Sequence, residues 1–221
     1  ISPDEYVNKY GSDVFRMYLM FGFNYSDGGP WSEDGVVSMS KFILRLERIL
    51  DKILQLPDND TNVINENEKD LLYVFNSSLK GITNDLENMQ FNTAIAKIME
   101  ITNALYKYDK DVEIKNTKML KELAKKFIVV FAPFTPHFAE EMWNRFGGEF
   151  SVFNQKYIKV DEKYLTKDTT ELPVQINGVV RFKVEIPTNL DEKQIEETVV
   201  NDERLKKYTI DKEIKKVIVV K

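Results

Sequence analysis

A row of basic side chains in the first quarter of the chain is the best candidate for binding chemistry. Its members are spaced by four, three and four positions, so on an α-helix they share one face. They are Lys41, Arg45, Arg48 and Lys52. Ser38 and Gln55 extend the row without an acidic residue, as a surface that follows a phosphate backbone would require. The alternative is an ordinary solvated helix face.

A second group of cations lies near the end of the chain. The segment from Arg204 to Lys216 holds six basic residues against two acidic ones, a local charge of +4 in a chain of net charge −5. The six are Arg204, Lys206, Lys207, Lys212, Lys215 and Lys216. Together with Arg181 and Lys183 they predict a positive patch that binds an anionic partner. The alternative is that these charges only keep the surface soluble.

Residues for catalysis or metal binding are not apparent in the sequence. Cysteine is absent and His137 is the single histidine, which excludes disulfides, thiolate metal sites and multi-histidine sites. His137 follows Thr135-Pro136 in the first turn of a predicted helix, where we expect a structural role. No glycine-rich loop with a following lysine and no Gly-x-Ser-x-Gly motif occurs. We therefore predict no catalytic residue and no metal ligand.

Helical periodicity extends from Ser2 to Gly148. Apolar residues recur every three or four positions, and proline, glycine and polar runs separate the segments. A helix beginning at Ser2 restarts at Gly11, where Asp13 is expected to pair with Arg16 one turn later. Trp31, in a Gly-Pro loop, is expected to pack, with an exposed stacking surface as the alternative. The further helices are predicted at about 33–56, 66–86, 91–108, 115–131 and, after a cap at Thr135-Pro136, up to Phe146.

The pattern changes after Gly148, and residues 172–184 predict a β-hairpin. Asn177-Gly178 usually forms a two-residue turn. That loop length would place Val174 on the face that carries Arg181 and Lys183. We therefore predict a three-residue loop with Gly178 in the left-handed region. The loop then aligns Leu172 and Val174 with Val180, Phe182 and Val184, opposite a solvent-facing side that holds Gln175, Arg181 and Lys183.

Three further elements are expected to complete this part of the chain. Asp191 and Gln194 form a capping box for a helix that runs to about Val200. A short helix starts at Asp202, and residues 216–220 form a last strand. The sequence thus predicts a mainly α-helical bundle over 1–148, a connecting segment over 149–171, and a small α+β domain with a β-hairpin over 172–221.

Composition fits a globular protein in a reducing compartment. The 221 residues are 43% hydrophobic and 30% charged. No apolar run approaches the ~20 residues of a membrane span, and no targeting segment is visible in the sequence. We expect a cytoplasmic protein that does not contact a membrane, and we expect the chain to be an excised piece of a longer one.

Several motifs, taken in chain order, resemble the bacterial-type leucyl-tRNA synthetases of class I. The first resembles the stretch after the Lys-Met-Ser-Lys-Ser loop of class I enzymes, and the fourth is shared widely among class I relatives. In order they are Ser2–Glu5 with Lys9–Asp13 and Arg16, Trp31–Val36 with Phe42 and Arg45, Phe91–Ala96, Ala132–Trp143, Val174–Gly178 with Arg181, and Lys215–Val220.

This resemblance implies a function that residue spacing alone does not indicate. It implies the anticodon-binding helical domain and C-terminal domain of a leucine–tRNA ligase, which hold the body and elbow of tRNA(Leu). The catalytic and editing domains of the parent chain are then further partners. ATP and Mg²⁺ belong to that parent, with no cofactor in this fragment and a monomer as the expected state. Eleven basic residues are the predicted tRNA contacts: Lys41, Arg45, Arg48, Lys52, Arg181, Lys183, Arg204, Lys206, Lys207, Lys215 and Lys216.

Departures from the family pattern leave alternatives open. Val179 stands where the family commonly has lysine, and Tyr157-Ile158 stands where it has Trp-Pro. The family's final strand would follow Lys221, so the small domain is expected to be truncated. The corresponding region of a valyl or isoleucyl enzyme is one alternative, disfavoured by the hairpin. A helical protein-interaction module without RNA binding is the other.

Overall fold

The computed structural model describes residues 2–24, 26–59, 64–166, 169–188, 190–209, 214 and 216–219. The chain divides into two compact units, Ile1–Leu165 and Thr166–Lys221. The first is helical and the second contains a two-stranded antiparallel sheet with helices. The predicted fold class is confirmed. Within the described ranges, no helix has the length and apolar character needed to cross a membrane.

The described part of the first unit contains seven α-helices, each near its predicted position. Side-chain caps set several of the starts: Ser32 accepts the Gly35 N–H, and Asn65 with Glu68 forms a capping box. The helices are α1 (Pro3–Tyr10), α2 (Ser12–Phe21), α3 (Glu33–Leu54), α4 (Glu66–Glu87), α5 (Phe91–Asp111), α6 (Thr117–Phe131) and α7 (Pro136–Arg145).

Aromatic rings and a buried polar group fix how α4, α5 and α6 pack. Phe127 makes edge-to-face contacts with Phe75 and Phe131, with ring centroids 6.5 and 5.3 Å apart. Glu68 is 1% exposed and accepts the Tyr108 hydroxyl from α5. That hydroxyl also accepts the Asn116 N–H at the start of α6. Burial, with the bond to Glu68, raises the pKa of Tyr108.

The segment after α7 packs against the helices. Val152 is buried in the main core, and Ile158 packs against it. Glu140 Oε2 accepts both the Ser151 hydroxyl and the Val152 N–H at 3.0 Å. The sequence pattern ended the bundle at Gly148, whereas residues 149–165 belong to the first unit. The irregular pattern of this segment, which forms two short 3-10 helices, concealed its packing.

The hairpin has the predicted strands and a different loop. Strand β1 (Thr169–Ile176) pairs with β2 (Val179–Pro187). Asn177 and Gly178 form a two-residue turn with φ of 53° and 80°, and positive φ at both is the type I′ signature. The three-residue loop is therefore wrong. One extra residue is needed to bring the apolar side chains of both strands to the same face. It lies in β2, where a bulge opposite Val174 and Gln175 leaves Arg181 without a partner on β1.

The bulge also changes which side chains share a face. Val180 pairs with Gln175 and is 52% exposed, so its predicted alignment with Phe182 and Val184 is wrong. Leu172 does pair with Val184, as predicted. A small core forms on that face from buried Val184, Ile186 and Ile195, with Leu172 and Val174 packed against it.

Two short helices follow the hairpin as predicted. They are α8 (Glu192–Val200), which begins with the Asp191–Gln194 capping box, and α9 (Glu203–Thr209). Residues 216–219 are not in a strand, which contradicts the predicted last strand over its described part. Val220 lies outside the described residues. In antiparallel sheets a strand needs a partner for its backbone groups, and in the described residues β1 pairs with β2 alone.

Candidate nucleic-acid interface

The predicted basic row lies on the outward face of α3. The opposite face of this helix is buried in the main core through eight apolar residues, which fixes the direction of the row. They are Val36, Met39, Phe42, Ile43, Leu46, Ile49, Leu50 and Ile53. Lys41, Arg48 and Lys52 are exposed, and Arg45 is half-buried. Leu44 lies among them and is 52% exposed.

Arg45 is supported by a tyrosine from α5. Its guanidinium lies over the Tyr106 ring, 4.6 Å from the centroid. The Tyr106 hydroxyl donates to the Arg45 carbonyl oxygen at 2.8 Å, so Tyr106 contacts both the side chain and the backbone of Arg45. A cation on an aromatic face keeps its charge while its orientation is restricted. Arg45 is therefore a positioned cation at the α3–α5 junction.

The other three cations of the row differ in their partners. Lys52 is bonded to Asp109 of α5 at 2.5 Å, which offsets its charge. Arg48 donates from Nε to the Leu44 carbonyl oxygen of its own helix at 3.2 Å. Lys41 and Arg48 form no ion pair with any residue that the structure describes. These two side chains are the cations of α3 most available to an external anion.

Acidic residues beside the row are compensated by Arg145 at the end of α7. Its Nη1 lies 3.0 Å from Glu47 Oε1 and 3.2 Å from Asp51 Oδ1, and its Nε donates to Glu141 at 2.9 Å. Glu47 and Asp51 lie on α3 next to the basic row. Because Arg145 binds both carboxylates, their repulsion of an approaching anion is reduced.

The cations of the second unit also divide into engaged and available groups. Arg204 directs Nε and Nη2 to the Asp202 carboxylate and donates from Nη1 to the Lys183 carbonyl oxygen at 2.9 Å. The Arg204 bonds lower the pKa of Asp202 to about 2. Lys183 pairs with Glu171 at 2.9 Å. Arg181 lies over the Tyr208 ring, 5.6 Å from the centroid.

The remaining cations predicted in this unit lie at or after α9. Lys206 and Lys207 are exposed on that helix, and Lys216 is exposed in the irregular segment that follows. Lys212 and Lys215 lie outside the described residues. Arg181, Lys206 and Lys207 form no ion pair in the described part of the chain. The structure thus keeps three of the predicted cations of this unit available on the hairpin and α9.

His137 lies in the first turn of α7, where it contacts two residues of α2. Its Nδ1 lies 2.9 Å from Asp13 Oδ1 and 3.3 Å from Ser12 Oγ, and its side chain is 78% exposed. Both partners meet the same ring nitrogen. A Ser-His-Asp relay needs the hydroxyl and the carboxylate on different nitrogens, so this cluster is not one. Across the described ranges, no group of three His, Asp or Glu residues is placed to hold a metal ion.

Asp13 caps α7 instead of pairing with Arg16. Its Oδ2 accepts the Phe138 N–H at 2.7 Å, whereas Thr135, the expected cap, makes no side-chain cap bond. Arg16 donates to the Pro133 carbonyl oxygen at 3.1 Å. The predicted Asp13–Arg16 pair is therefore wrong. Asp13 thus joins α2 to the first turn of α7, and Arg16 joins α2 to the turn that precedes α7.

The sequence is similar to a known domain over more than half of its length. Residues 68–197 match the family model described as the anticodon-binding domain of tRNA ligase. The chain belongs to this family. The match covers most of α4, then α5 to α7, the connecting segment, the hairpin and most of α8, so it includes Tyr106, Asp109 and Arg181.

Curated relatives extend the similarity over the whole chain. The sequence is 49% identical over 224 residues to a leucine–tRNA ligase of Caldanaerobacter subterraneus subsp. tengcongensis and 50% identical to one of Clostridium tetani. In both cases 100% of this chain is covered, against 27% and 28% of the relative. The chain thus spans a little over a quarter of the length of these relatives, in their C-terminal part.

A solved structure has the same fold. This is the crystal structure of the ternary complex of Agrobacterium radiobacter K84 agnB2 LeuRS-tRNA-LeuAMS, with a TM-score of 0.76 and 27% identity. The similarity covers 100% of this chain and 28% of that one. The resemblance inferred from the sequence motifs is confirmed.

One of the motifs that indicated this family has a structural role. Trp31 packs edge-on against Tyr6 and Tyr18, with ring centroids 4.5 and 4.9 Å away, so it is a packing residue as expected. Tyr18 accepts the Ser32 N–H at 2.7 Å. Gly35 lies so close to Tyr18 that a Cβ would come within 2.5 Å of the ring. This motif fixes the start of α3 and hence the direction of the basic row.

Sequence reasoning missed the two tyrosines that support arginines. Tyr106 lies 61 residues after Arg45, and Tyr208 lies 27 residues after Arg181. No local spacing connects either pair. In the sequence, both tyrosines lie beside a lysine in a polar helical stretch. This pattern is too common to identify them as partners of arginines.

Proposed function

We propose that this chain is the tRNA-binding part of a leucine–tRNA ligase. It holds tRNA(Leu) while a catalytic domain elsewhere in the same protein activates leucine with ATP and Mg²⁺ and esterifies the tRNA 3′ end. An editing domain of that protein is the other expected intramolecular partner. The protein acts as a monomer in the cytoplasm, and this chain itself supplies binding energy and orientation.

The observation that carries the proposal is the outward basic row of α3 in a member of the anticodon-binding family. Lys41 and Arg48 are exposed without internal ion pairs in the described residues, and Arg45 is held over Tyr106. Contacts of this kind bind phosphates regardless of sequence and position the RNA. A net charge of −5 opposes indiscriminate binding, so the local row must supply the attraction.

Charge reversal on α3 tests this proposal. In the full-length protein that contains this chain, the double variant Lys41→Glu/Arg48→Glu is expected to weaken tRNA(Leu) binding about tenfold or more at moderate salt. The slope of log affinity against log salt should decrease by about 1.5, because roughly two phosphate contacts are lost. Filter binding over a range of KCl concentrations measures both quantities.

The matched control is Lys80→Glu, which reverses one exposed charge on α4. It should leave affinity within about twofold and the slope unchanged. Equal affinity and slope for the double variant and the wild type would refute the assignment of α3. Salt-independent association of the wild type with another protein, without tRNA binding, would instead support a protein-interaction module.

A further inference from the structure

A layered arrangement of two arginines and two aromatic rings lies between β2 and α9. The Arg204 guanidinium lies over the Phe182 ring at 4.9 Å, and Phe182 stacks on Tyr208 at 6.5 Å with an interplanar angle of 15°. Arg181 covers Tyr208 at 5.6 Å. These four residues are called the arginine–aromatic stack below.

The two arginines of the stack differ in their hydrogen-bond partners. Arg204 is occupied: Asp202 accepts from Nε and Nη2, and the Lys183 carbonyl oxygen accepts from Nη1. It therefore fastens α9 to β2 and presents little net charge. The Arg181 side chain makes no hydrogen bond or ion pair within the described part of the chain, and the residue is exposed. Its guanidinium donors remain available.

The bulge explains why Arg181 points to the stack. A regular strand would place residues 181 and 183 on the same face, opposite Phe182. Lys183 lies on the face of Glu171, with which it pairs. Arg181 is the extra residue of β2, so it leaves that face and reaches the ring of Tyr208. Bulges commonly re-aim one side chain in this way.

We propose that Arg181 is the phosphate-binding guanidinium of the second unit, positioned by the β-bulge and by the Tyr208 ring. The proposal rests on tRNA binding by this chain and names the residue that carries it in this unit. A guanidinium backed by an aromatic face has lost part of its freedom before binding, so less entropy is lost when it contacts a phosphate. The planar fork can then bind two phosphate oxygens.

Four variants of the full-length protein separate the effects of the Arg181 charge, of its planar guanidinium and of the Tyr208 ring. Arg181→Gln should weaken tRNA(Leu) binding roughly fivefold to tenfold and reduce the salt slope by about one. Arg181→Lys should keep the slope and lose roughly twofold to threefold in affinity, because the fork is absent. Tyr208→Leu should lose roughly twofold to fivefold with the slope unchanged, and Tyr208→Phe should match the wild type.

Lys193→Gln is the matched control, because it removes one exposed charge of the same unit from outside the stack. It should change neither affinity nor slope, and circular dichroism should show that every variant folds. If Arg181→Gln binds like Lys193→Gln while the α3 double variant binds weakly, the inference about Arg181 is overturned and the proposed function stands. If neither set of variants changes tRNA binding, both proposals are overturned. Equal losses in Tyr208→Phe and Tyr208→Leu would overturn the role of the ring.

Discussion

Replacing Asp13 with alanine tests the connection between α2 and α7. Asp13 is 8% exposed, and its carboxylate makes two bonds across the bundle, to the Phe138 N–H at 2.7 Å and to His137 Nδ1 at 2.9 Å. Loss of a helix N-cap costs about 1 kcal/mol. The bond to His137 adds about 1 kcal/mol at most, because the histidine is largely exposed and solvent screens the interaction.

The expected total for Asp13→Ala is about 2 kcal/mol. For a domain of this size that corresponds to a decrease in Tm of about 4–8 °C. Urea denaturation followed by circular dichroism at the helical band measures the change, since the first unit holds most of the helix. Asp13→Asn keeps an oxygen that can accept the Phe138 N–H, so about half of the loss should be recovered.

Asp34→Ala supplies the matched control. Asp34 also lies in the first turn of a helix, but it is exposed and its side chain makes no hydrogen bond with any described residue. It should cost less than about 0.5 kcal/mol, the value of a favourable charge near a helix N-terminus. A loss for Asp13→Ala no larger than for Asp34→Ala would show that capping from α2 does not stabilise α7.

Two further predictions concern close packing and titration. Gly35→Ala should lower the free energy of unfolding by about 1–3 kcal/mol, since the new Cβ would lie 2.5 Å from the buried Tyr18 ring. Tyr18→Leu itself removes buried packing and the bond to the Ser32 N–H, so the test is a double-mutant cycle measured in urea. A smaller effect of Gly35→Ala in the Tyr18→Leu background supports the clash, and an equal effect in both backgrounds contradicts it. Asp202 should titrate near pH 2 by carboxyl-carbon NMR, because Arg204 lowers the pKa of this carboxyl from 3.8. Since the pKa is lower in the folded state, the contribution of Asp202 to stability is complete above about pH 4 and is lost as the pH falls toward 2. In Arg204→Met the pKa should return toward 3.8, and an unchanged value would contradict the assigned cause.

The hairpin shows where local sequence rules reach their limit. Parity required one extra residue between the apolar positions of β1 and β2, and the structure contains it. Two sites could hold that residue, the turn or the strand. Asn177-Gly178 has a strong preference for the two-residue turn, so the strand took the bulge. Side-chain alternation alone does not choose between these two sites, because it requires one extra residue without specifying where it lies.

The connecting segment illustrates the same limit at the level of the domain boundary. Residues 149–165 have no helical or alternating period, so the pattern ended the bundle at Gly148. Burial of Val152 and the bonds from Glu140 hold the segment on the helices. Irregular backbone carries no periodic signal, although it can be as firmly packed as a helix.

The order of the helices and the outward direction of the basic row on α3 were determined by the sequence alone. Apolar spacing at 3.6 residues per turn decides which face is buried, and the cations must then lie on the other face. Tertiary structure decided which of those cations keep their charge available. Asp109 reaches Lys52, whereas Tyr106 and Tyr208 support arginines without neutralising them. Most of these partners are distant in sequence, and only packing of one element against another brings the charges and rings together.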